Sequence, residues 1–204
     1  KAPMLAEAVK SGADWFTANL GPEGFLAGLD AEHRPLKKSD INTEITALKA
    51  LGMATDCKIQ GDYSRIFSER FETLKKKLVA VKDGLVLGTL ENPDLDATLL
   101  LAELVISVKG IKDRVTLAQK LGNFLHTQFS PDGAFIGKTH VIRSGQAYLL
   151  YVISELAAIA GRDRDKEAVA RATRTLNALR ISDSNTAFNT MALLQSGTVL
   201  GEDV

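Results

Sequence analysis

Cysteine is almost missing from this 204-residue chain: Cys57 stands alone, so neither an intrachain disulfide framework nor a multi-thiolate metal site can form. A lone cysteine reads most simply as a small buried hydrophobe. Net charge is missing as well, since 25 Lys and Arg balance 25 Asp and Glu. Without an overall field to draw in nucleic acid or an anionic membrane, neither is expected as a partner. No stretch approaches the roughly 18 uninterrupted apolar residues of a membrane span, and a soluble protein is expected. The three histidines, His33, His126 and His140, lack ligand spacing. No metal is expected. Gly21-Pro22-Glu23-Gly24 has no following Lys-Ser or Lys-Thr pair, and Gly137-Lys138-Thr139 lacks its upstream glycine. With no Gly-x-Ser-x-Gly either, nucleotide hydrolysis and elbow-type serine chemistry are disfavoured, and no cofactor is expected.

What the chain does have is an internal repeat. Ala13-Asp14-Trp15-Phe16 followed by Gly21-Pro22-Glu23-Gly24-Phe25 returns as Gly122-Asn123-Phe124-Leu125 followed by Ser130-Pro131-Asp132-Gly133-Ala134-Phe135. Trp15 and Phe124, Pro22 and Pro131, and Gly24 and Gly133 are each 109 positions apart. A weaker copy, Asp83-Gly84-Leu85-Val86-Leu87-Gly88, lies between them, 60 residues beyond Gly24 and 49 before Gly133. The unit is therefore about fifty residues: a Gly-containing turn, a polar loop, an apolar helix, a polar break and an amphipathic helix.

The apolar helices are expected over Asp40–Thr55, Leu95–Val108 and Gly145–Ala160. Leu99 to Ile106 and Tyr148 to Ile153 are greasy nearly all round, as a helix covered on most sides must be. The amphipathic helices are expected over Tyr63–Val81, Arg114–Thr127 and Lys166–Leu179, the last with Ala168, Ala172, Thr175, Leu176 and Leu179 on one stripe. Thr186–Gln195 reads as a fourth apolar helix. Ser39, Asp40, Pro93, Asp94 and Ser144 suit helix starts, and Gly110 and Gly161 suit left-handed helix ends. Glu23 and Asp132, at equivalent turn positions, suit a shared turn-structuring role. The recurring aromatics Trp15, Phe16, Phe25, Phe124, Phe129 and Phe135 suit hairpin-to-hairpin packing, with an aromatic platform for sugar rings as the alternative.

The expected fold is one all-α domain over residues 1–204, with repeated helical hairpins in two concentric layers. The stretch Ser144-Gly145-Gln146-Ala147-Tyr148 through Leu156, ending at Gly161-Arg162-Asp163, resembles the inner-helix and turn pattern of α/α-toroid proteins. These include six-hairpin glycosidases, sugar epimerases and polysaccharide lyases. A full ring of six such hairpins needs about 300 residues, and roughly three and a half units are present. An incomplete toroid, a compact variant and a segment of a larger protein all stay open. Lys1-Ala2-Pro3 is compatible with a mature periplasmic or secreted terminus.

In such an array the loops entering inner helices meet at one rim, where helix N-termini favour anionic or hydroxyl-rich ligands. The resemblance implies a saccharide partner there. Lys38, Asp40, Glu44, Asp94, Asp96, Lys138, Gln146, Asn185 and Asn189 are the candidate substrate-binding residues. His140, Arg143 and Tyr148 supply, within one stretch, the cation and base that a lyase or epimerase needs, and are the candidate catalytic set. For Asp40 and Asp94, helix capping alone accounts for the residue type. Two other readings remain: a noncatalytic helical-repeat module binding a protein partner, and a carrier of a hydrophobic ligand.

Overall fold

The computed structural model describes residues 2–25, 39–137, 145–178 and 186–201. Helices dominate: α1 Ala2–Ala18, α2 Ile41–Asp56, α3 Tyr63–Lys75, α4 Leu95–Ser107, α5 Arg114–His126, α6 Gly145–Ala160, α7 Asp163–Ala178 and α8 Thr186–Leu200. The short strands β1 (Leu20–Gly21) and β2 (Gly24–Phe25) form one antiparallel hairpin. In the second sheet β3 (Val79–Val81), β4 (Gly84–Gly88) and β5 (Pro93–Asp94) pair in that order, with Val79 opposite Val86 and Leu87 opposite Asp94.

The expected apolar helices form as read, ending within a residue or so of the expected bounds, while α8 runs five residues further. Two expectations on the amphipathic helices fail. The segment Tyr63–Val81 is not one helix: α3 ends at Lys75, and Val79–Val81 is strand β3. Its Val-Ala-Val alternation followed by Asp83-Gly84 is hairpin chemistry, stronger than the helical period it interrupts. In α7 the expected Ala172 and Leu176 are buried, but Asp165 and Val169 complete the buried stripe in place of Ala168 and Thr175, which are half-buried, and Leu179 lies outside the described residues.

The chain divides into two compact units, Lys1–Leu78 with Glu103–Lys112, and Val79–Ala102 with Asp113–Val204. In the first unit α2 packs against α1, α3 and β2. Ile45, Leu48 and Leu51 of α2 are almost wholly buried, together with Phe25, Ile66, Phe71 and Leu74. Asp40 caps α2, its Oδ1 accepting the Thr43 N–H at 2.8 Å, which contributes about 1 kcal/mol. At the far end Asp56 accepts the N–H groups of Lys109 and Gly110. Gly110 is therefore not the left-handed cap expected of it, whereas Gly161, at φ 64°, is. Cys57, the residue closing α2, is exposed and not buried, because the helix ends there and its side chain has no core to enter.

In the second unit α6 packs against α5, α7 and α8. That enclosure explains its composition: Leu149, Leu150, Val152, Ile153 and Leu156 are all buried. Of α4, Leu99, Leu101 and Ala102 are buried in the same way.

One device recurs at all three Gly turns. The Phe25 N–H donates to Glu44 Oε2 at 3.1 Å, the Leu87 N–H to Thr98 Oγ1 at 3.1 Å, and the Phe135 N–H to Gln146 Oε1 at 2.6 Å. Each acceptor sits in the first turn of the helix that follows, so each hairpin is latched onto the next inner helix by one polar side chain. An otherwise orphaned backbone donor is satisfied each time.

Candidate functional site

The start of α4 opens a cleft of about 450 Å³, lined by Asn92, Pro93, Asp94, Leu95, Asp96, Phe124 and Gln128. β5 supplies Pro93 and Asp94 to its wall, and the Asn92 N–H bonded to Thr89 Oγ1 at 3.0 Å fixes the turn before it. Asp94 Oδ1 accepts the Ala97 N–H at 2.9 Å and its carbonyl accepts the Thr98 hydroxyl at 2.6 Å. Capping is thus part of its work, as it is for Asp40. Asp96 lies two positions on in the first helical turn, where the helix dipole favours a carboxylate.

A second cleft, of about 420 Å³, lies in the first unit at the equivalent place, the start of α2. It is lined by Trp15, Phe16, Asp40, Asn42, Thr43 and Thr46. Ala13 is buried on α1, and Trp15, about 200° further round that helix, is 48% exposed. Phe16 meets it edge-on at 5.0 Å and meets Phe25 at 6.1 Å, which fixes the ring position against the β1–β2 hairpin. Aromatic packing therefore accounts for Phe16 and Phe25 but not fully for Trp15. The helix-period position of Trp15 relative to Ala13 was the signal that could have separated it from the others.

Among the candidate residues, Asp94 and Asp96 come together in one cleft and Asp40 lies in the other. Glu44 and Gln146 are engaged in the latches: Glu44 also receives Arg70 at 2.7 Å, and Gln146 Nε2 donates to the Gly133 carbonyl at 2.8 Å. Tyr148 is buried within α6. Lys38, Lys138, His140, Arg143 and Asn185 lie outside the described residues, as does the side chain of Asn189, whose backbone belongs to α8. Among the described residues no group of His, Cys, Asp and Glu could hold a metal ion. No helix among them is long and apolar enough to cross a membrane. Asp132 does structure its turn as expected, with the Ser130 hydroxyl donating to its carboxylate and holding its pKa below the usual range.

One cluster was not anticipated at all. His126, at the end of α5, has a side chain only 19% exposed, with Nδ1 3.9 Å from Asp165 Oδ1. Burial lowers its pKa, and the charges of Arg162, Arg164 and Arg171 lower it further against the opposing pull of Asp165. The native state therefore holds His126 neutral, while the unfolded chain takes up its proton near pH 6.5. Protons then bind the unfolded state preferentially, and stability falls as pH drops through and below that value. Thermal unfolding between pH 7 and 5.5 is expected to show this slope, and His126→Gln to flatten it. An identical slope in the variant would remove His126 from the account.

Buried helices alternating along the chain with half-exposed ones, with a Gly-containing turn before each buried helix, define an all-α, α/α-toroid-type fold of repeated helical hairpins. The structure of cellobiose 2-epimerase from Bacillus thermoamylovorans B4167 is similar, with a TM-score of 0.66 over 98% of this chain and 68% of that one, at 11% identity. At that identity the likeness is one of fold. No protein-family model matches the chain, and no curated protein matches it by sequence.

Proposed function

We propose that this is a carbohydrate-active domain that binds a saccharide at the N-terminal ends of its inner helices. The observation carrying the reading is the cleft at the start of α2. The half-exposed Trp15 ring offers an apolar face for a sugar ring, while Asp40, Asn42, Thr43 and Thr46 supply a carboxylate, an amide and hydroxyls for its hydroxyl groups. Asp40 keeps lone pairs beyond those used by the Thr43 N–H and hydroxyl. The fold shared with a cellobiose 2-epimerase supports the same ligand class. The α4 cleft, with Asp94 and Asp96 on its wall, is the second place proposed for a sugar. For the proton transfer of an epimerase- or lyase-type step, His140, Arg143 and Tyr148 are the proposed set on residue type and spacing.

Trp15 is the chain's single tryptophan, so its emission reports the first cleft directly. Titration with cellobiose and with neutral and uronic oligosaccharides is expected to change that emission saturably. Trp15→Ala is expected to weaken the heat of binding, with Kd rising about ten-fold or more. Silence in both fluorescence and calorimetry at millimolar ligand across the panel overturns the reading.

A further inference from the structure

We infer that the second unit carries a separate binding site for a small organic oxyanion, in the cavity between the β3–β4 turn, the end of α5 and α7. The cavity holds about 430 Å³, within the range of small-ligand sites. Lys82, Arg164 and Arg171 line it, against a single lining carboxylate, Asp83. The wall is therefore positive by two charges on a chain whose formal net charge is zero. Such a local excess is what an anion requires.

The other charges nearby are already matched. Asp165, 2% exposed behind the cavity, is taken by Arg162, whose Nε reaches its Oδ2 at 2.8 Å and whose Nη2 reaches its Oδ1 at 2.9 Å. Asn123 Oδ1 accepts from Arg162 at 2.9 Å and from Arg164 at 2.7 Å, and Asn123 Nδ2 donates to the Asp83 carbonyl at 2.8 Å. That clamp presents the Arg164 guanidinium in a fixed place with further donors unused. Among the described residues neither Lys82 nor Arg171 has an ion-pair partner, and Lys82 is set in the turn at φ 51°.

The cavity is not purely ionic. Val81, Phe124 and Ala168 give it an apolar side, so the ligand is an anionic group on a small organic body and not a bare ion. Neutral His126 lines the cavity with Lys82, Asp83, Arg164 and Arg171, and feels the charges of Arg162 and Asp165 from outside the lining. An anion placed there favours protonated His126, so binding takes up a proton and tightens as pH falls from 7 toward 6. A phosphate ester and a sugar carboxylate share this chemistry, and the probes separate them.

Calorimetry with inorganic phosphate, glucose 6-phosphate, glucuronate and glucose is the test, with the His126 ring protons followed by NMR. The expected result is binding of glucose 6-phosphate or glucuronate, weaker binding of inorganic phosphate, and a His126 pKa that rises on saturation. The tighter of the two organic anions identifies the source of the oxyanion. Lys82→Glu with Arg171→Glu, both exposed, is expected to raise Kd at least about ten-fold with unfolding unchanged. Arg171→Lys is expected to keep most of the affinity. The site is overturned if both organic anions are silent at about 10 mM, if glucose binds equally well, or if the double reversal binds as the native chain does. Each titration is repeated in Trp15→Ala, where the heat that remains belongs to this cavity and not to the first cleft, which keeps this outcome separate from that of the saccharide reading.

Discussion

Arg70→Met is expected to lower the unfolding free energy by about 3–5 kcal/mol, measured as a drop in the urea midpoint at constant m value. Glu44 is a buried carboxylate, 5% exposed, whose oxygens are satisfied by Arg70 at 2.7 Å and by the Phe25 N–H at 3.1 Å. Removing the guanidinium leaves a negative charge in a place water reaches poorly, and that uncompensated charge dominates the loss. A further Glu44→Gln in the Arg70→Met background is then expected to recover stability, because the carboxamide keeps an acceptor for the Phe25 N–H without the charge. A loss below about 1 kcal/mol would mean that the pair behaves like a surface ion pair and that the β1–β2 latch does not depend on it.

The second large effect is expected at Gly133→Ala, which should destabilise by about 2–4 kcal/mol from two separate sources. Gly133 sits at φ +91°, where a side chain is strained. A Cβ there would also lie 2.5 Å from the Arg171 carbonyl oxygen and 2.9 Å from the Ala172 nitrogen, both backbone atoms of α7 that cannot swing aside. The turn is pinned in that position by Thr175, whose hydroxyl donates to the Asp132 carbonyl at 2.6 Å. Gly12→Ala is the control. With nothing within 4 Å of its added methyl inside α1, it is expected to be neutral or stabilising by up to about 1 kcal/mol. Equal midpoints for the Gly133→Ala and native chains would show that the turn retreats from α7 without penalty.

The sequence made the inner helices legible because enclosure on every side leaves its mark in composition alone. Gly145–Ala160 forms over the expected bounds, and its neighbours α5, α7 and α8 account for the unbroken apolar run. The repeat was legible because the same turn is built more than once: Gly24 and Gly133 both take positive φ. The break after α3 was legible in principle, since Val79-Ala80-Val81 before Asp83-Gly84 is a hairpin signal. It was outweighed by the helical period running into it. Glu44 and Gln146 show what composition hides. Both types suit a ligand-facing rim equally well, and only the placement of the turn against the helix reveals that a backbone amide already occupies each. Trp15 is the converse, an aromatic whose repeat partner Phe124 is 6% exposed while it remains half open. The basic cavity was invisible because Lys82, Asn123 and Arg171 are far apart in the chain and meet only when the β3–β4 turn lies beside α5 and α7.

The three latches also bear on how the chain assembles itself. Donor and acceptor are separated by only 19, 11 and 11 residues, so the entropy lost on closing each loop is small and grows only logarithmically with its length. Each acceptor lies on the C-terminal side of its donor. A nascent polypeptide can therefore seat every hairpin as soon as the first turn of the next helix leaves the ribosome, with no need for distant segments yet to be synthesised.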